Sequence, residues 1–396
     1  MEHKLTYYIM KQVITTEKKP IKLWLDEIEN EALAQARNLA NLPFAFKHIA
    51  IMPDSHVGYG MPIGAVLATK GAVVPNAVGV DIGCGMCALK TDMKRITKLQ
   101  LKKILGIARQ LIPLGFDHHK VRQDEALMPG QPYEDLKIVN REYNAALKQL
   151  GTLGGGNHFI EIQKGSDGYI WIMIHSGSRN IGLKVADHYN KLAQGLNDKY
   201  FSSVPKEVQL AFFPIDSKEA KEYMDEMRYC IDFALANRKL MMDRMIEAFT
   251  EVKGSFGHDD IINESHNFAA WEHHFNTNVL VHRKGATRAY EGELGMIPGS
   301  QGTKSYIVRG LGNEESFKSC SHGAGRKMGR ARAMKELDLE KEIAFLEKQG
   351  ILHGIRHKAD LEEAAGAYKD IDVVMENQRD LVEIVVELQP LAVMKG

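Results

Sequence analysis

Apolar residues recur every three to four positions over several long stretches of the chain, and in short runs between them. The first pattern predicts helices over 26–42, where Ile28, Leu33, Ala36, Leu39 and Ala40 share a face, and again over 96–112 and 134–150. Residues 217–251 contain neither Gly nor Pro and are amphipathic throughout, which predicts a peripheral helix or helical hairpin. The segment 263–274 also reads as helical, with His266 and His273 seven positions apart on one face. The short apolar runs predict strands at 49–52, 65–69, 158–163, 169–175, 278–282, 305–308 and 381–388. Together they predict an α/β (mixed α+β) fold: one domain over 1–396, with central β-sheets and peripheral helices, carrying a helical insertion at about 185–255. No internal repeat, low-complexity tract or Pro/Gly/Ser linker breaks the pattern.

Glycine sharpens this outline. Of 35 glycines, 25 fall within three islands, 54–87, 151–182 and 285–329. Glycine is favoured where the backbone turns sharply or approaches a ligand closely. The islands follow predicted strands and also hold His, Asn, Cys, Ser and Asp, so they read as loops converging on one site rather than as plain turns.

The first island contains Val80-Asp81-Ile82-Gly83-Cys84-Gly85-Met86-Cys87. Asp81 and Cys84 lie three apart across a glycine, a spacing that lets both face one point. Two anionic groups so placed repel unless a cation sits between them. Taken alone, the pair reads equally as an exposed Asp and a buried Cys. Cys84-x-x-Cys87 has no second Cys-x-x-Cys to complete a four-cysteine zinc site, since Cys230 and Cys320 are isolated, and Cys87 reads as core. The second island, Gly154-Gly155-Gly156-Asn157-His158-Phe159-Ile160-Glu161, leads into a strand, and the next strand ends at His175-Ser176-Gly177-Ser178-Arg179. A lone histidine at a strand end is commonly a core or capping residue. His158 and His175 together with Asp81, Cys84 and His266 make a set with metal-ligand chemistry, large enough for two metals if the thiolate bridges.

The third island holds Pro298-Gly299-Ser300-Gln301-Gly302-Thr303-Lys304-Ser305, whose small residues, hydroxyls and open amides suit a phosphate cradle. It is not a Walker A loop, because Thr303 separates Gly302 from Lys304. A Ser/Gly surface loop is the alternative. Further on, His322 stands in Ser321-His322-Gly323-Ala324-Gly325-Arg326, where small neighbours leave the imidazole open to act as a nucleophile toward phosphorus. Such a histidine needs a carboxylate or carbonyl on its other ring nitrogen, a partner the sequence does not identify.

Charge refines the partner class. The 51 Lys and Arg balance 51 Asp and Glu, which excludes a bulk-basic polyanion binder. Locally the balance breaks: residues 282–330 carry nine cations against four anions, and 354–396 five against nine. Four cysteines in 396 residues make no disulfide framework. No apolar run reaches the roughly 18–20 residues of a membrane span. The expectation is a cytoplasmic protein without membrane contact.

Val-Asp-Ile-Gly-Cys-Gly, Gly-Gly-Gly-Asn-His-Phe, His-Ser-Gly-Ser-Arg, His-Arg-Lys-Gly-Ala-Thr-Arg, Pro-Gly-Ser-x-Gly-Thr-x-Ser and Ser-His-Gly-Ala-Gly-Arg occur in this order, and the chain resembles the RtcB-type RNA ligases over nearly its whole length. The resemblance implies joining of RNA 3′-phosphate or 2′,3′-cyclic phosphate ends to 5′-hydroxyl ends, in RNA repair or tRNA splicing, using GTP and two Mn2+ ions. It implies metal ligation by Asp81, Cys84, His158, His175 and His266, with Cys84 bridging, and guanylylation of His322. Guanine-nucleotide contacts are implied for Asn157, Glu161, Asn267, Pro298, Gly299, Ser300, Gln301, Ser305, Gly323, Ala324, Gly325 and Lys395. An archease-like activator is a further implied partner. Two other readings fit the metal set and the basic island without the nucleophile: a binuclear metal-dependent phosphodiesterase or phosphatase acting on RNA ends, and a non-catalytic metal-dependent RNA-binding protein.

Overall fold

The short apolar runs fold into two large sheets, and the helices cover their outer faces. The structure is a computed structural model that describes residues 10–200 and 202–396. Its strands are β1 (Gln12–Ile14), β2 (Ile21–Leu23), β3 (Ala45–Tyr59), β4 (Met61–Thr69), β5 (Ala72–Val73), β6 (Gly85–Lys90), β7 (Phe159–Gly165), β8 (Ile170–Ser176), β9 (Phe213–Pro214), β10 (Ile262–Ser265), β11 (Asn267–His274), β12 (Thr277–Lys284), β13 (Ala286–Arg288), β14 (Leu294–Ile297), β15 (Ser305–Gly310), β16 (Ser319–Ser321) and β17 (Val382–Lys395). The helices are α1 (Asn30–Ala40), α2 (Lys98–Leu111), α3 (Lys137–Gln149), α4 (Arg179–Lys199), α5 (Lys218–Lys253), α6 (Arg330–Glu336), α7 (Leu339–Lys348) and α8 (Ile371–Glu376). The mixed α/β class expected from the sequence is what forms.

One sheet has the order β1-β2-β3-β4-β12-β11 and the other β10-β6-β8-β7-β17-β15-β14. The larger sheet is antiparallel throughout. Its strands alternate as period-2 burial requires. Cys87, Leu89, Ile160, Ile162, Ile172, Ile174 and Met394 face α2 and α5 in one apolar cluster. Met86, Ala88, Met173 and Leu388 face the opposite way in another. Each large side chain so buried contributes roughly 1.5–3 kcal/mol. Helix α2 starts where Thr97 and Gln100 form a reciprocal cap: the Gln100 amide donates to Thr97 Oγ1 at 3.3 Å and the Thr97 amide to Gln100 Oε1 at 2.9 Å.

Two sequence expectations are corrected. The stretch 217–251 is a single 36-residue helix, α5, and it is not peripheral, since Tyr223, Cys230, Phe233, Met241 and Phe249 are all buried. Its Arg238 is wholly buried and donates to the carbonyls of Gly83 and Ser176, both at 2.9 Å. The segment 263–274 is not a helix. It forms β10, which pairs with β6 in the larger sheet, and then β11, which pairs with β12 in the smaller one. The chain changes sheets at His266.

Candidate metal and nucleotide site

Strand register brings the three glycine islands to one end of the larger sheet. Ser265 pairs with Gly85, Gly85 with Ser176, His175 with Phe159, and Phe159 with Lys395. The residues flanking this row, Cys84, His158 and His266, therefore cluster although up to 182 positions separate them. The small β13–β16 ribbon pairs Ala286 with Ser321 and delivers His322 beside them.

The ligand atoms of Cys84, His158 and His175 all lie within 4.8 Å of one another. Cys84 Sγ is 3.5 Å from His158 Nε2 and 3.3 Å from His175 Nε2, and Asp81 Oδ2 is 3.2 Å from His158 Nε2. His266 packs against His175 with ring centroids 5.2 Å apart, and against His322 at 4.8 Å. His158 Nδ1 donates to the Leu153 carbonyl at 2.9 Å and His175 Nδ1 to the Asn157 carbonyl at 3.1 Å. A carbonyl only accepts, so each Nδ1 carries a proton and each ring turns its Nε2, the nitrogen that a neutral imidazole would offer to a metal, to the cluster.

The electrostatics are those of a cation site. Burial and the Asp81 carboxylate push the Cys84 thiol well up. Burial, with His158 and His322 nearby, holds His175 well below the usual imidazole range, and burial with His322 and His175 does the same to His266. Burial would raise Asp81, but the hydrogen bond and charge of His158 outweigh it and leave it at about 2. A carboxylate, a sulfur and two imidazole lone pairs thus converge in a buried place. This donor set fits a divalent transition metal, which would stabilise the thiolate and remove the repulsion. Cys87, in contrast, lies in the apolar cluster against α5, and burial pushes its thiol up to about 12.

His322 has the partner that the sequence left open. Its Nδ1 donates to Asp54 Oδ2 at 2.6 Å, and the same oxygen accepts from the amides of His322 and Gly323 at 3.1 and 3.3 Å. Asp54 is fully buried on β3. Burial would raise its carboxyl, but the charge and hydrogen bond of His322 keep it below the ordinary value. The close approach depends on Gly325, at φ +71°, where a Cβ would lie 2.0 Å from the Asp54 carbonyl oxygen. With Nδ1 occupied, Nε2 is the nitrogen left for chemistry. Asp54 stands in the Met52-Pro53-Asp54 run, but nothing in its spacing signals a partner 268 residues away.

A cavity of about 350 Å3 adjoins the cluster. Of the predicted nucleotide residues, Asn157, Glu161, Pro298, Gly299, Ser300, Gln301, Gly323, Ala324, Gly325 and Lys395 line it, together with His175 and His322. Asn267 and Ser305 do not. Asn267 is a brace for the metal loop: its Nδ2 donates to the Asp81 carbonyl at 3.0 Å and its Oδ1 accepts from the Gly285 amide at 2.8 Å. Ser305 Oγ accepts from Gln163 and from the Gly299 amide, at 3.1 and 3.2 Å. The loop 298–304 also differs from an open nest. The amides of Gly299, Ser300 and Thr303 bond to Ser305 Oγ, Thr303 Oγ1 and the Ser300 carbonyl, so the turn is largely closed on itself.

The cavity's positive charge comes from elsewhere in the chain. Glu363, buried and missed in the sequence, pairs with Arg326 at 3.0 Å and Arg330 at 2.8 Å, lies 4.0 Å from Lys395, and accepts from the Tyr368 hydroxyl. Burial would raise Glu363, but Lys395, Tyr368 and the two arginines hold it down. Three cations around one anion leave net positive charge for a polyanion. Glu161 is also enclosed: burial raises it to about 8 despite Gln163 and Lys395. Burial lowers Lys395 to about 8, against the pull of Glu363 and Glu161. His273, expected beside His266, bonds to Asn278 at 2.8 Å on the exposed side of β11 and plays no part.

Comparison with known proteins places this arrangement. A family model described as tRNA-splicing ligase RtcB matches residues 35–133 and 125–396. The chain is 39% identical to the RNA-splicing ligase RtcB of Escherichia coli (strain K12), over 97% of its own length and 99% of that protein's. It is 30% identical to the tRNA-splicing ligase RtcB of Thermococcus kodakarensis, over 93% and 92%. To the RNA-splicing ligase RtcB of Mycobacterium bovis it is 32% identical, over 91% and 100%.

Proposed function

The chain belongs to the RtcB family of splicing ligases, and from that premise we propose that it joins RNA 3′-phosphate or 2′,3′-cyclic phosphate ends to 5′-hydroxyl ends, using GTP and Mn2+. The observation that carries the reading is the pairing of His322 Nδ1 with buried Asp54 at 2.6 Å beside the cysteine–histidine cluster. A simple RNA-binding protein has no use for an oriented imidazole at the cavity wall, and a metallohydrolase would use it as a general acid or base without taking up a guanylate.

In this reading Asp81, Cys84, His158, His175 and His266 hold the metal, which when bound neutralises phosphate charge next to His322. The Cys/His donors alone would equally suit zinc, and the assignment of Mn2+ follows the family. Asp54 keeps the Nδ1 proton in place and stabilises positive charge as Nε2 attacks the α-phosphorus of GTP. The new bond joins Nε2 to phosphorus, pyrophosphate departs, and the histidine carries GMP. The guanylate then passes to the RNA 3′-phosphate, and attack by the 5′-hydroxyl releases GMP. Glu161 and Asn157 are assigned to the guanine nucleotide, and Arg326, Arg330 and Lys395 to phosphate charge.

The test is incubation of the protein with GTP labelled at the α-phosphate and with a broken RNA hairpin, with and without Mn2+. The expected result is metal-dependent labelling of His322 and a joined RNA. Labelling of His322→Ala at the wild-type level would overturn the nucleophile, and release of cyclic phosphate without labelling would favour the hydrolase.

A further inference from the structure

The segment between α2 and α3 carries one feature that the chemistry above does not use. Phe116 is fully exposed. An isolated aromatic ring in water is unremarkable on a frayed loop, but this loop is pinned. The Gly115 amide donates to the Gly154 carbonyl at 3.0 Å, the Leu153 amide to the Pro113 carbonyl at 3.0 Å, and the Asp117 amide to the Leu114 carbonyl at 3.0 Å. Farther along, the His119 and Gln123 amides donate to the Lys148 and Leu147 carbonyls of α3 and its end, at 3.0 and 2.9 Å. The ring is therefore held out on a fixed backbone.

Its position is informative. Gly115 packs against Gly154 and Gly155, the start of the loop that runs to Asn157 and His158. It also meets Gly396, the residue after cavity-lining Lys395. The loop thus lies against two segments, 154–155 and 396, that lead directly to the cavity-lining Asn157 and Lys395. Beyond the ring, Lys120 and Arg122 are exposed, and His118 beside them is exposed as well. Exposed carboxylates, Asp117, Asp124 and Glu125, flank these cations, so the ring is the main feature: an exposed aromatic face near a phosphate-handling cavity can stack a base of single-stranded nucleic acid, with Lys120 and Arg122 within the same loop to meet its backbone.

Resting on the ligase reading, we propose that Phe116 is a stacking platform for an unpaired base near the RNA end that enters the cavity, with Lys120 and Arg122 on the adjoining phosphates. The ring selects no base, since every base offers a π face, and so grips ends of any sequence.

The experiment uses the full chain and short single-stranded RNAs with 2-aminopurine near a 3′-phosphate or a 5′-hydroxyl end. Wild type should quench the probe on binding. Phe116→Ala and Phe116→Leu should weaken RNA binding and raise the KM for joining by roughly tenfold, within the range of base–aromatic stacking. Phe116→Trp should keep both. Labelling of His322 by GTP without RNA should be equal in all four proteins, and so should thermal stability, because the ring is buried against nothing. Wild-type binding and quenching by Phe116→Ala, in a protein that joins RNA, would overturn the platform and leave the ligase reading intact. Quenching that depends on Phe116, in a wild type that neither labels nor joins, would do the reverse.

Discussion

Asp54 and His322 stand 268 residues apart in the chain and 2.6 Å apart in the fold, the carboxylate fully buried and the imidazole partly open to the cavity. Asp54 Oδ2 takes three hydrogen bonds from the His322–Gly323 segment, while Oδ1 has no partner among the described residues. Asp54→Asn, with its amide nitrogen in the Oδ1 place, keeps the shape and removes the charge. The rate of His322 guanylylation should fall by roughly 10²–10⁴-fold, as for other carboxylate–histidine pairs. Time-resolved labelling with radioactive GTP measures it, and an unchanged rate would make Asp54 a mere packing group.

The two cysteines of Cys84-x-x-Cys87 should behave oppositely. Cys84→Ala removes a donor from the three-residue cluster and should lower bound metal and abolish joining. Cys87→Ala touches only the apolar cluster under α5 and should leave metal content unchanged, at a cost of about 1 kcal/mol or less. Metal analysis of the two purified variants separates them.

Glu161 makes stability depend on pH. Its folded value of about 8 lies above the ordinary 4.5, so in the nucleotide-free protein it keeps a proton that the unfolded chain gives up. Stability from this group is complete below pH 4.5 and is lost as pH rises toward 8. Lys395, lowered to about 8, has the window between 8 and 10.5 instead and adds no slope below it. Glu161→Gln should therefore flatten the decline between pH 5 and 8, by a few kcal/mol at about 1.4 kcal/mol per pKa unit. Denaturant titrations at several pH values read this directly, and parallel curves for the two proteins would refute it.

Glu363 holds two arginines, a tyrosine and Lys395 around the cavity. Glu363→Gln leaves partly buried cations facing one another and should cost about 2–3 kcal/mol, below the figure for a fully enclosed pair because Arg330 is half in solvent. Thermal unfolding would show the loss, and added pyrophosphate, by supplying anionic charge, should restore part of it.

Regular periodicity carried most of the secondary structure. The predicted helix at 96–112 and the strands at 158–163 and 169–175 form nearly where the pattern put them, because each has one uniformly apolar face. The misreading at 263–274 has a specific cause. In β11 the alternate inward positions include Glu272, paired with Arg283, and His274, bonded to Glu272, so a true period of two shows no apolar signature. The Cys84–His158–His175 cluster was legible because Cys, His and Asp beside glycines are chemically rare in combination. Asp54 and Glu363 were not, since a carboxylate's role here is set by what another part of the chain brings to it.

The placement of β17 has a consequence for synthesis. Val382–Lys395 comes last among the strands yet lies inside the larger sheet, hydrogen-bonded to β7 on one side and β15 on the other. Until it is made, β7 and β15 each expose an open edge, the cavity lacks Lys395, and the long-range contacts that close the site cannot form. On the ligase reading, a nascent chain already carrying His322 lacks this wall of the nucleotide pocket until β17 has been made and has joined β7 to β15.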